Sequence, residues 1–256
     1  MTDTELLVEV AGPVATVTIN RPAKRNALTL GMWRELAAIC RELQAERALR
    51  ALVLTGAGPS FCAGADISSL SEDDASLKAA VFDAEEALRT LDVPSVAKIR
   101  GFCMGGGNQL AVACDLRIVD TTSVFAVPPA KLSVVYPANS IRSLVALVGP
   151  SATKRLLFTA GSIDAAEALR IGLVDEVVQP DLLDDHVAAL VSSMLPLAPM
   201  TQVAGKQLVN AIVAGADAEA LYQQWYAEWT TNSDGREGPQ AFLKKRPPEF
   251  TWRRSS

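Results

Sequence analysis

The chain has too little histidine for several common kinds of active site. His186 is the single histidine among 256 residues, and it lies on the polar side of a helical pattern, where we expect a solvated surface residue. A Ser-His-Asp triad and a polyhistidine metal site are therefore excluded, and we predict no metal site. Nucleotide-binding signatures are missing too, because Phe61 stands where the glycines at 56 and 58 would need a third glycine.

Positive charge is also in deficit. The 24 Lys and Arg residues are outnumbered by 29 Asp and Glu residues, which gives a net charge of −5. Such a balance, with no basic stripe, argues against a nucleic-acid partner because phosphate binding needs a basic surface. No apolar run approaches the ~18 residues of a membrane span, and residues 1–5 carry no positive charge ahead of an apolar segment. We therefore expect a cytoplasmic protein without a membrane partner.

Cysteine is scarce and unpatterned. The four cysteines, at 40, 62, 103 and 114, include no C-x-x-C pair, which agrees with a reducing compartment and predicts small buried side chains. Cys62 and Cys103 lie beside the glycine-rich segments described below, so a nucleophilic thiol is an alternative. We disfavour it because a reactive thiolate needs a nearby cation or imidazole.

The most informative feature that the chain does have is a glycine-rich stretch at residues 101–115. An apolar extended run at residues 95–99 leads toward Gly105-Gly106-Gly107, and residues 109–114 have the apolar character of a buried helix. A helix N-terminus has unpaired N–H groups and favours negative charge, and glycine lets a ligand approach the backbone closely. This sharp strand-to-helix turn therefore predicts an anion-binding site. A close strand–helix crossing, in which glycine only avoids a clash, is the alternative.

Three further segments occur in order along the chain. The segment SFCAGADI at residues 60–67 follows a predicted strand at 51–55, NRP at 20–22 leads into NAL at 26–28, and a charged run occupies residues 234–247. Together with the glycine-rich stretch, they make the chain resemble the crotonase, or enoyl-CoA hydratase/isomerase, superfamily over nearly its whole length.

The resemblance implies an α/β fold with a crotonase-like ββα spiral core at residues 1–195. A C-terminal helical trimerisation region would follow at residues 196–256, which implies a homotrimer or homohexamer. The sequence pattern itself predicts a β-hairpin at 6–20, a helix from an N-cap at Thr29 to about residue 46, a helix at 73–91, and helices without long intervening strands after about residue 137. The last helices are aromatic, with Trp225, Tyr226, Trp229 and Phe242. These rings pack either on another chain or on the core of their own chain.

The resemblance also implies an acyl-CoA ligand, with no cofactor beyond its coenzyme A moiety. Two backbone N–H groups would hold the thioester oxygen, and by position they belong to Ala65 and Gly106. Independently of the resemblance, such an oxyanion hole asks for preorganised amides at a helix N-terminus, which the glycine-rich turn offers. The other residues that the resemblance places at the ligand are Lys24, Arg25, Ala27, Ala63, Asp66, Ile67, Gly105 and, from a neighbouring subunit, Lys245. For Asp66 a structural role in holding loop amides competes, and each basic residue is also compatible with an ordinary solvated side chain.

The chain departs from the family pattern at the two acid/base positions. Hydratases of this family carry one glutamate three residues after the oxyanion-hole glycine, where this chain has Gln109, and a second where it has Pro129. A glutamine amide can orient a water molecule but cannot accept its proton, and proline has no proton-carrying group. Because each such group typically contributes roughly 10²- to 10⁴-fold, we predict that the chain is not a standard hydratase.

Tyr136 and Asn139 occur where the family builds the far wall of the acyl pocket. Tyr136 is similar in placement to a tyrosine in methylmalonyl-CoA decarboxylase-like members, which also lack the hydratase glutamates. A neutral phenol can orient a carboxylate or donate a hydrogen bond, although a wall residue with a solvated hydroxyl is the alternative. We therefore predict an enzyme that stabilises a CoA enolate, a decarboxylase, another lyase or an isomerase. The competing hypothesis is an acyl-CoA-binding protein without catalysis.

Overall fold

Nine strands form two sheets in the part of the chain that the structure, a computed structural model, describes: residues 4–66 and 74–254. The main sheet has the order β1-β2-β3-β4-β6-β9, and the second sheet has the order β5-β7-β8. Only the β1–β2 and β7–β8 pairs are antiparallel. The strands are β1 (Leu6–Ala11), β2 (Val14–Ile19), β3 (Ala51–Gly56), β4 (Ser95–Ile99), β5 (Phe102–Met104), β6 (Leu116–Asp120), β7 (Val124–Ala126), β8 (Ser162–Asp164) and β9 (Glu176–Val178).

Ten α-helices connect and cover these strands within the described residues, and a short 3-10 helix lies at Pro22–Lys24. The helices are α1 (Leu30–Ala45), α2 (Asp74–Arg89), α3 (Gly106–Ala113), α4 (Pro129–Leu132), α5 (Ala138–Thr159), α6 (Ala165–Arg170), α7 (Leu183–Met194), α8 (Pro199–Ala214), α9 (Ala218–Thr231) and α10 (Asp234–Leu243). The predicted α/β class and the C-terminal helices are confirmed.

Both faces of the main sheet are covered. On one face, Leu52 and Ile99 belong to a large apolar core that also contains the inward sides of α1, α2 and α3. On the other face, Val53 and Val96 pack with Val187 of α7. Strands buried on both faces are nearly continuous apolar runs, which is why residues 51–55 and 95–99 were recognisable in the sequence.

The N-terminal half follows the sequence pattern closely. The predicted hairpin is present, with Ala11 paired to Val14 across a two-residue turn. Thr29 caps α1 by accepting a hydrogen bond from the Met32 amide at 3.2 Å. The five α1 residues at helical spacing that suggested an inward face are all buried: Trp33, Leu36, Ala37, Cys40 and Leu43.

The short strand β5 is where the sequence prediction was wrong. The run at residues 95–99 does not turn directly into the helix, because Gly101, at φ +54°, redirects the chain into β5 of the second sheet before α3 begins at Gly106. A β-carbon at Gly101 would stand 2.2 Å from the Pro59 carbonyl oxygen, so this change of direction requires glycine. The strands β8 and β9 have three residues each, so the prediction of helices without long intervening strands after about residue 137 holds.

The C-terminal aromatic residues divide between the two interpretations. Trp225 packs edge-on against Trp252 and donates a hydrogen bond to Gln207 at 3.1 Å, so it belongs to the chain's own interior. Tyr226, Trp229 and Phe242 are exposed. The predicted boundary at residue 195 falls between α7 and α8 and stays a prediction. Among the described helices, none alone is long and apolar enough to cross a membrane; α7 and α8 pass only when counted together, and they are bent by 107°.

One buried asparagine joins the loops that lead to the glycine-rich segments. Asn26 is fully buried at φ +59°. Its Oδ1 accepts from the Arg21 amide at 2.9 Å, and its Nδ2 donates to the carbonyl oxygens of Ala57 at 2.9 Å and Ser60 at 2.6 Å. This side chain therefore fixes the turn after β3 against the loop after β2.

We expect Asn26→Ala to lower the free energy of unfolding by about 2–4 kcal/mol, because three buried backbone groups lose their partner. Urea unfolding of the variant and the wild type measures this difference. Asn20→Ala is the matched control, since Asn20 makes a single exposed contact to the Thr4 carbonyl oxygen at 3.2 Å. A loss at Asn26 no larger than the loss at Asn20 would contradict this role.

Candidate functional site

The two small-residue segments of the sequence lie side by side. Cys62 donates from its amide to the Phe102 carbonyl oxygen, and the Met104 amide donates to the Cys62 carbonyl oxygen, both at 2.9 Å. On the other side, Leu28 and Ala65 form a parallel bridge. Residues 62–66 are therefore held between the loop before α1 and the strand before α3.

This arrangement leaves two neighbouring backbone amides unpaired. The Leu28 amide donates to Gly64 and the Asp66 amide donates to Leu28, each at 2.8 Å, so the intervening amide of Ala65 is directed away from Leu28. Gly106 is the first residue of α3, where an N–H group has no partner in the helix. Among the described residues, neither the Ala65 nor the Gly106 amide donates to a protein acceptor. The backbones are close, since a β-carbon on Gly106 would stand 3.2 Å from the Ala65 nitrogen.

The glycines both present backbone amides and allow a close strand–helix crossing, which are the two roles that the sequence left open. Gly64, at φ +106°, and Gly105, at φ +49°, adopt backbone angles that place the two amides. At Gly107 the reason is steric, because a β-carbon there would lie 2.4 Å from the Cys62 carbonyl oxygen. At Gly106 a β-carbon would also meet Trp33 Cζ2 at 2.8 Å. The turn is thus both a close crossing and a pair of presented amides at a helix N-terminus, which favours an anion.

These amides face a mainly apolar groove of about 350 Å³. Gln109, Pro129 and Tyr136, singled out in the sequence, lie on its wall. Among the described lining residues none is acidic. The described residues that line the groove are Ala63, Gly64, Ala65, Leu77, Lys78, Val81, Gly105, Gly106, Gln109, Pro128, Pro129, Lys131, Leu132, Val134, Val135, Tyr136 and Pro137.

Tyr136 lies on the groove wall, and its hydroxyl is bonded to the backbone. Its O–H donates to the Gly105 carbonyl oxygen at 3.3 Å, directly before Gly106. Burial raises the pKa of the Tyr136 phenol well above its ordinary value, and the nearby carboxylate of Glu85 adds to the rise. The phenol is therefore a hydrogen-bond donor and not a base at neutral pH.

A buried glutamate behind the groove was missed in the sequence. Glu85 lies on α2 with 4% of its surface exposed, and its carboxylate accepts from Ser140 Oγ at 2.7 Å and from the Asn139 amide. Burial raises the pKa of Glu85, and the hydrogen bonds from Ser140 and Asn139 partly offset the rise. Its position contained a signal: it lies four residues after Val81 and three before Leu88, on the face that the helical pattern turns inward.

Asn139 does not lie on the groove wall where the sequence placed it. Its side chain is on the far side of Gln109 and is taken up by the Glu85 carboxylate. Tyr136 therefore lines the groove and Asn139 does not, and a role of either residue at an acyl group stays a prediction. The first turn of α5 turns the Asn139 amide toward α2 and away from the groove.

Of the residues predicted to border a coenzyme A moiety, the structure brings Ala63 and Gly105 to the groove. Lys24 and Arg25 are exposed, and the Arg25 guanidinium lies 5.0 Å from the centre of the Phe102 ring. The Arg25 carbonyl oxygen accepts from the Ala63 amide at 2.9 Å, so this loop is attached to the groove. Ile67 lies outside the described residues. Lys245 is exposed on the C-terminal segment and does not line its own chain's groove; its predicted role in a neighbouring subunit stays a prediction.

Asp66 is held inside its own chain. Its carboxylate pairs with Arg21 Nη1 at 3.0 Å, and the same nitrogen donates to the Ala27 carbonyl oxygen at 2.6 Å. Arg21 also forms an ion pair with Glu5 at 2.9 Å. These contacts favour the structural interpretation of Asp66, with an ion pair where the sequence suggested amide capping.

Other reactive groups are placed unfavourably for chemistry. All four cysteines are buried and unpaired. Burial raises the pKa of the Cys40 and Cys62 thiols to about 12 and raises those of Cys103 and Cys114 further. His186 is on the surface and bonds to Glu176 at 2.6 Å, as the sequence predicted. Within the described ranges, no three His, Cys, Asp or Glu side chains are arranged to share a metal ion.

The chain is similar in sequence and fold to known proteins along nearly its whole length. A family model described as enoyl-CoA hydratase/isomerase matches residues 9–253. The chain is similar to the short-chain-enoyl-CoA hydratase of Clostridium acetobutylicum, with 35% identity over 95% of this chain and 96% of the relative. It is similar to the (E)-benzylidenesuccinyl-CoA hydratase of Thauera aromatica, with 33% identity over 95% and 97%. The crystal structure of an enoyl-CoA hydratase from Mycobacterium smegmatis superposes with a TM-score of 0.90 at 30% identity, over 97% of this chain and 99% of that chain.

The raised thiol pKa values give a direct test of the cysteine alternative. At about pH 8, a thiol with a pKa near 12 has roughly a thousandth of the thiolate of a free cysteine, so we expect the native protein to react very slowly with a thiol reagent. All four thiols should react after unfolding in guanidinium chloride. A native cysteine that reacts as fast as free cysteine, and whose signal disappears in Cys62→Ala, would restore the thiol mechanism.

Proposed function

Because the chain belongs to the enoyl-CoA hydratase/isomerase family, whose members are enzymes that act on acyl-CoA, we propose that it holds the thioester oxygen of its substrate with the amides of Ala65 and Gly106. The oxygen would carry negative charge as the enolate forms. The observation that carries this proposal is that the Ala65 amide lies beside the Gly106 amide at the N-terminus of α3, that neither has a partner among the described residues, and that both residues line a groove. Each such donor typically stabilises a transition state by roughly 3–4 kcal/mol.

The reaction we propose is not ordinary hydration. The family resemblance assigns the two hydratase glutamate positions to Gln109 and Pro129, which both line the groove, and the described lining contains no carboxylate. Loss of CO₂ from a carboxylated acyl group leaves an enolate without the need for a base, and the neutral Tyr136 hydroxyl on the groove wall would have to leave the Gly105 carbonyl oxygen to orient the departing carboxylate. Decarboxylation, another lyase reaction or an isomerisation therefore suits these side chains better. The relatives' names point to hydration in those proteins, so a hydration assay belongs in the test.

A second candidate is an acyl-CoA-binding protein without catalysis. The observation that favours it is the same lack of an acidic side chain on the described groove wall. This candidate keeps the amide pair as a binding device and needs no proton transfer.

For the rest of the ligand, we propose that Lys24, Arg25 and the backbone of Ala63 and Gly105 border the coenzyme A moiety, with Lys245 of a neighbouring subunit near its phosphates. Basic side chains pair well with phosphate groups. No further cofactor is proposed. We propose that Ala27, Asp66 and Ile67, which the resemblance also assigns to the ligand, contribute to the same binding site.

We also propose a homotrimer or homohexamer in the cytoplasm, assembled through α8–α10. Tyr226, Trp229, Phe242 and Leu243 support this assembly, because large apolar side chains that a single chain leaves exposed are typical of contact surfaces.

A panel of CoA thioesters incubated in heavy water tests the proposed function. The panel contains saturated, enoyl- and malonyl-type thioesters, and mass spectrometry follows the products. We expect deuterium at the α-carbon or loss of CO₂ for at least one compound. Binding without conversion across the panel would favour the second candidate, and hydration of crotonyl-CoA at a rate normal for the family would contradict the interpretation of Gln109 and Pro129.

We expect Gly106→Ala to lower kcat/KM on the best substrate of this panel by about 10²- to 10³-fold. The added methyl group would meet Trp33 Cζ2 at 2.8 Å and the Ala65 nitrogen at 3.2 Å, which displaces one or both donors. Gly205→Ala in α8 is the control, because a β-carbon there meets nothing within 4 Å. A folded Gly106→Ala protein with wild-type turnover would exclude the amide pair from the mechanism.

A further inference from the structure

A chain of three buried polar side chains runs from the inside of the helical layer to the groove. The Gln109 side-chain nitrogen donates to Ser140 Oγ at 2.8 Å, and Ser140 Oγ donates to the Glu85 carboxylate at 2.7 Å. All three residues are at least nine-tenths buried. Gln109 alone of the three also lines the groove.

A small polar cavity lies directly behind Gln109. Gln109 and Tyr136 line both this cavity and the groove, so Gln109 separates an interior carboxylate from the ligand space. Asn108, on the same turn of α3, lines the cavity as well, and its buried side-chain nitrogen and oxygen have no partner among the described residues. The side of Gln109 that faces the interior is therefore lined by polar side chains, whereas the groove on its other side is mainly apolar.

The protonation state of Glu85 fixes the direction of the hydrogen-bond chain. An ionised carboxylate only accepts, so Ser140 must donate to it, and the free lone pair of Ser140 then accepts from the Gln109 nitrogen. The Gln109 oxygen is left on the groove side as an acceptor. A protonated Glu85 can instead donate to Ser140, which lets Ser140 donate to the Gln109 oxygen and turns the Gln109 nitrogen toward the groove as a donor.

We propose that Glu85, acting through Ser140, determines whether Gln109 offers the acyl group a hydrogen-bond acceptor or a donor. Glu85 is then a positioning residue. The inference rests on the proposed function, because it assumes a thioester held at the amides of Ala65 and Gly106. Gln109 is three residues after Gly106 on α3, one turn or ~5 Å away, which is within reach of a substituent on the β-carbon of such a ligand.

Charged and titratable groups around Glu85 set the pH at which the change occurs. Arg89, one turn later on α2, favours the carboxylate, and Arg142 of α5 faces Arg89 in turn. Tyr136, from the segment before α5, stays neutral, and on the α1 side the Arg41 charge is paired with Asp83 at 3.8 Å. Burial outweighs these effects and raises the pKa of Glu85. The protonated form consequently persists to higher pH than in free glutamate, and the acceptor form of Gln109 is gained as pH rises.

Two matched ligands report the orientation of Gln109. The β-hydroxyl of 3-hydroxybutyryl-CoA can donate and accept, whereas its 3-methoxy analogue only accepts. Titration calorimetry gives the ratio of their dissociation constants at several pH values, and ionisation of the shared coenzyme A moiety cancels in this ratio. In the wild type we expect the preference for the hydroxyl ligand to rise with pH, by about tenfold across the ionisation of Glu85, which is the change expected for one unpaired polar group.

Three variants separate this role from a structural one. In Glu85→Gln the ratio should be independent of pH, since the amide cannot ionise. Ser140→Ala should weaken the pH dependence without abolishing it, because the Gln109 side chain also reaches the Glu85 carboxylate directly. Glu42→Gln, on the exposed side of α1, should retain the wild-type profile.

The failures are distinguishable. If both ligands bind but the wild-type ratio does not change with pH, or if Glu85→Gln and Ser140→Ala keep the wild-type profile, the role of Glu85 is overturned and the proposed function stands. If neither thioester binds at any pH, the proposed function is overturned and this inference falls with it.

Discussion

The structure is organised around two peptide N–H groups that form no bond within the described protein. Leaving amides unpaired is costly. The folded chain accepts that cost at Ala65 and Gly106 because backbone hydrogen bonds hold the residues on either side of Ala65 in place. Residues 28 and 103 hold the segment at 62–66 from both sides, and α3 begins where the second amide is needed. Three side chains that support this pair, Asn26, Leu28 and Trp33, are completely buried.

Contrast in polarity distinguishes the two sides of Gln109. The groove wall is dominated by side chains such as Val81, Leu132 and Val135, while a carboxylate and an unpaired asparagine lie behind it. An apolar groove strengthens any charge interaction at the amide pair because water is displaced. The polar interior behind Gln109 has the opposite requirement, because a buried polar group without a partner is costly. Gln109 can meet both because its amide has a donor end and an acceptor end.

Much of this could be predicted from sequence because the signals were local. The capped start of α1, the apolar strands and the glycine-rich turn each depend on residues within a few positions of one another. The features that could not be predicted depend on contacts between residues far apart in the chain. Ser140 and Asn139 both donate hydrogen bonds to Glu85, and Arg21 forms an ion pair with Asp66. The three-residue strand β5 escaped prediction for another reason, because its pairing with β7 and not its own pattern defines it.

The two glycines at the start of α3 have different evolutionary freedom. A side chain at 107 would collide with the Cys62 carbonyl oxygen, a backbone atom that no exchange of a neighbouring residue can remove. At 106 the severe obstacle is the ring of Trp33, so a smaller residue at 33 would open the space. At position 107 the main chain alone therefore excludes a side chain. At position 106 the exclusion depends also on the side chain at position 33.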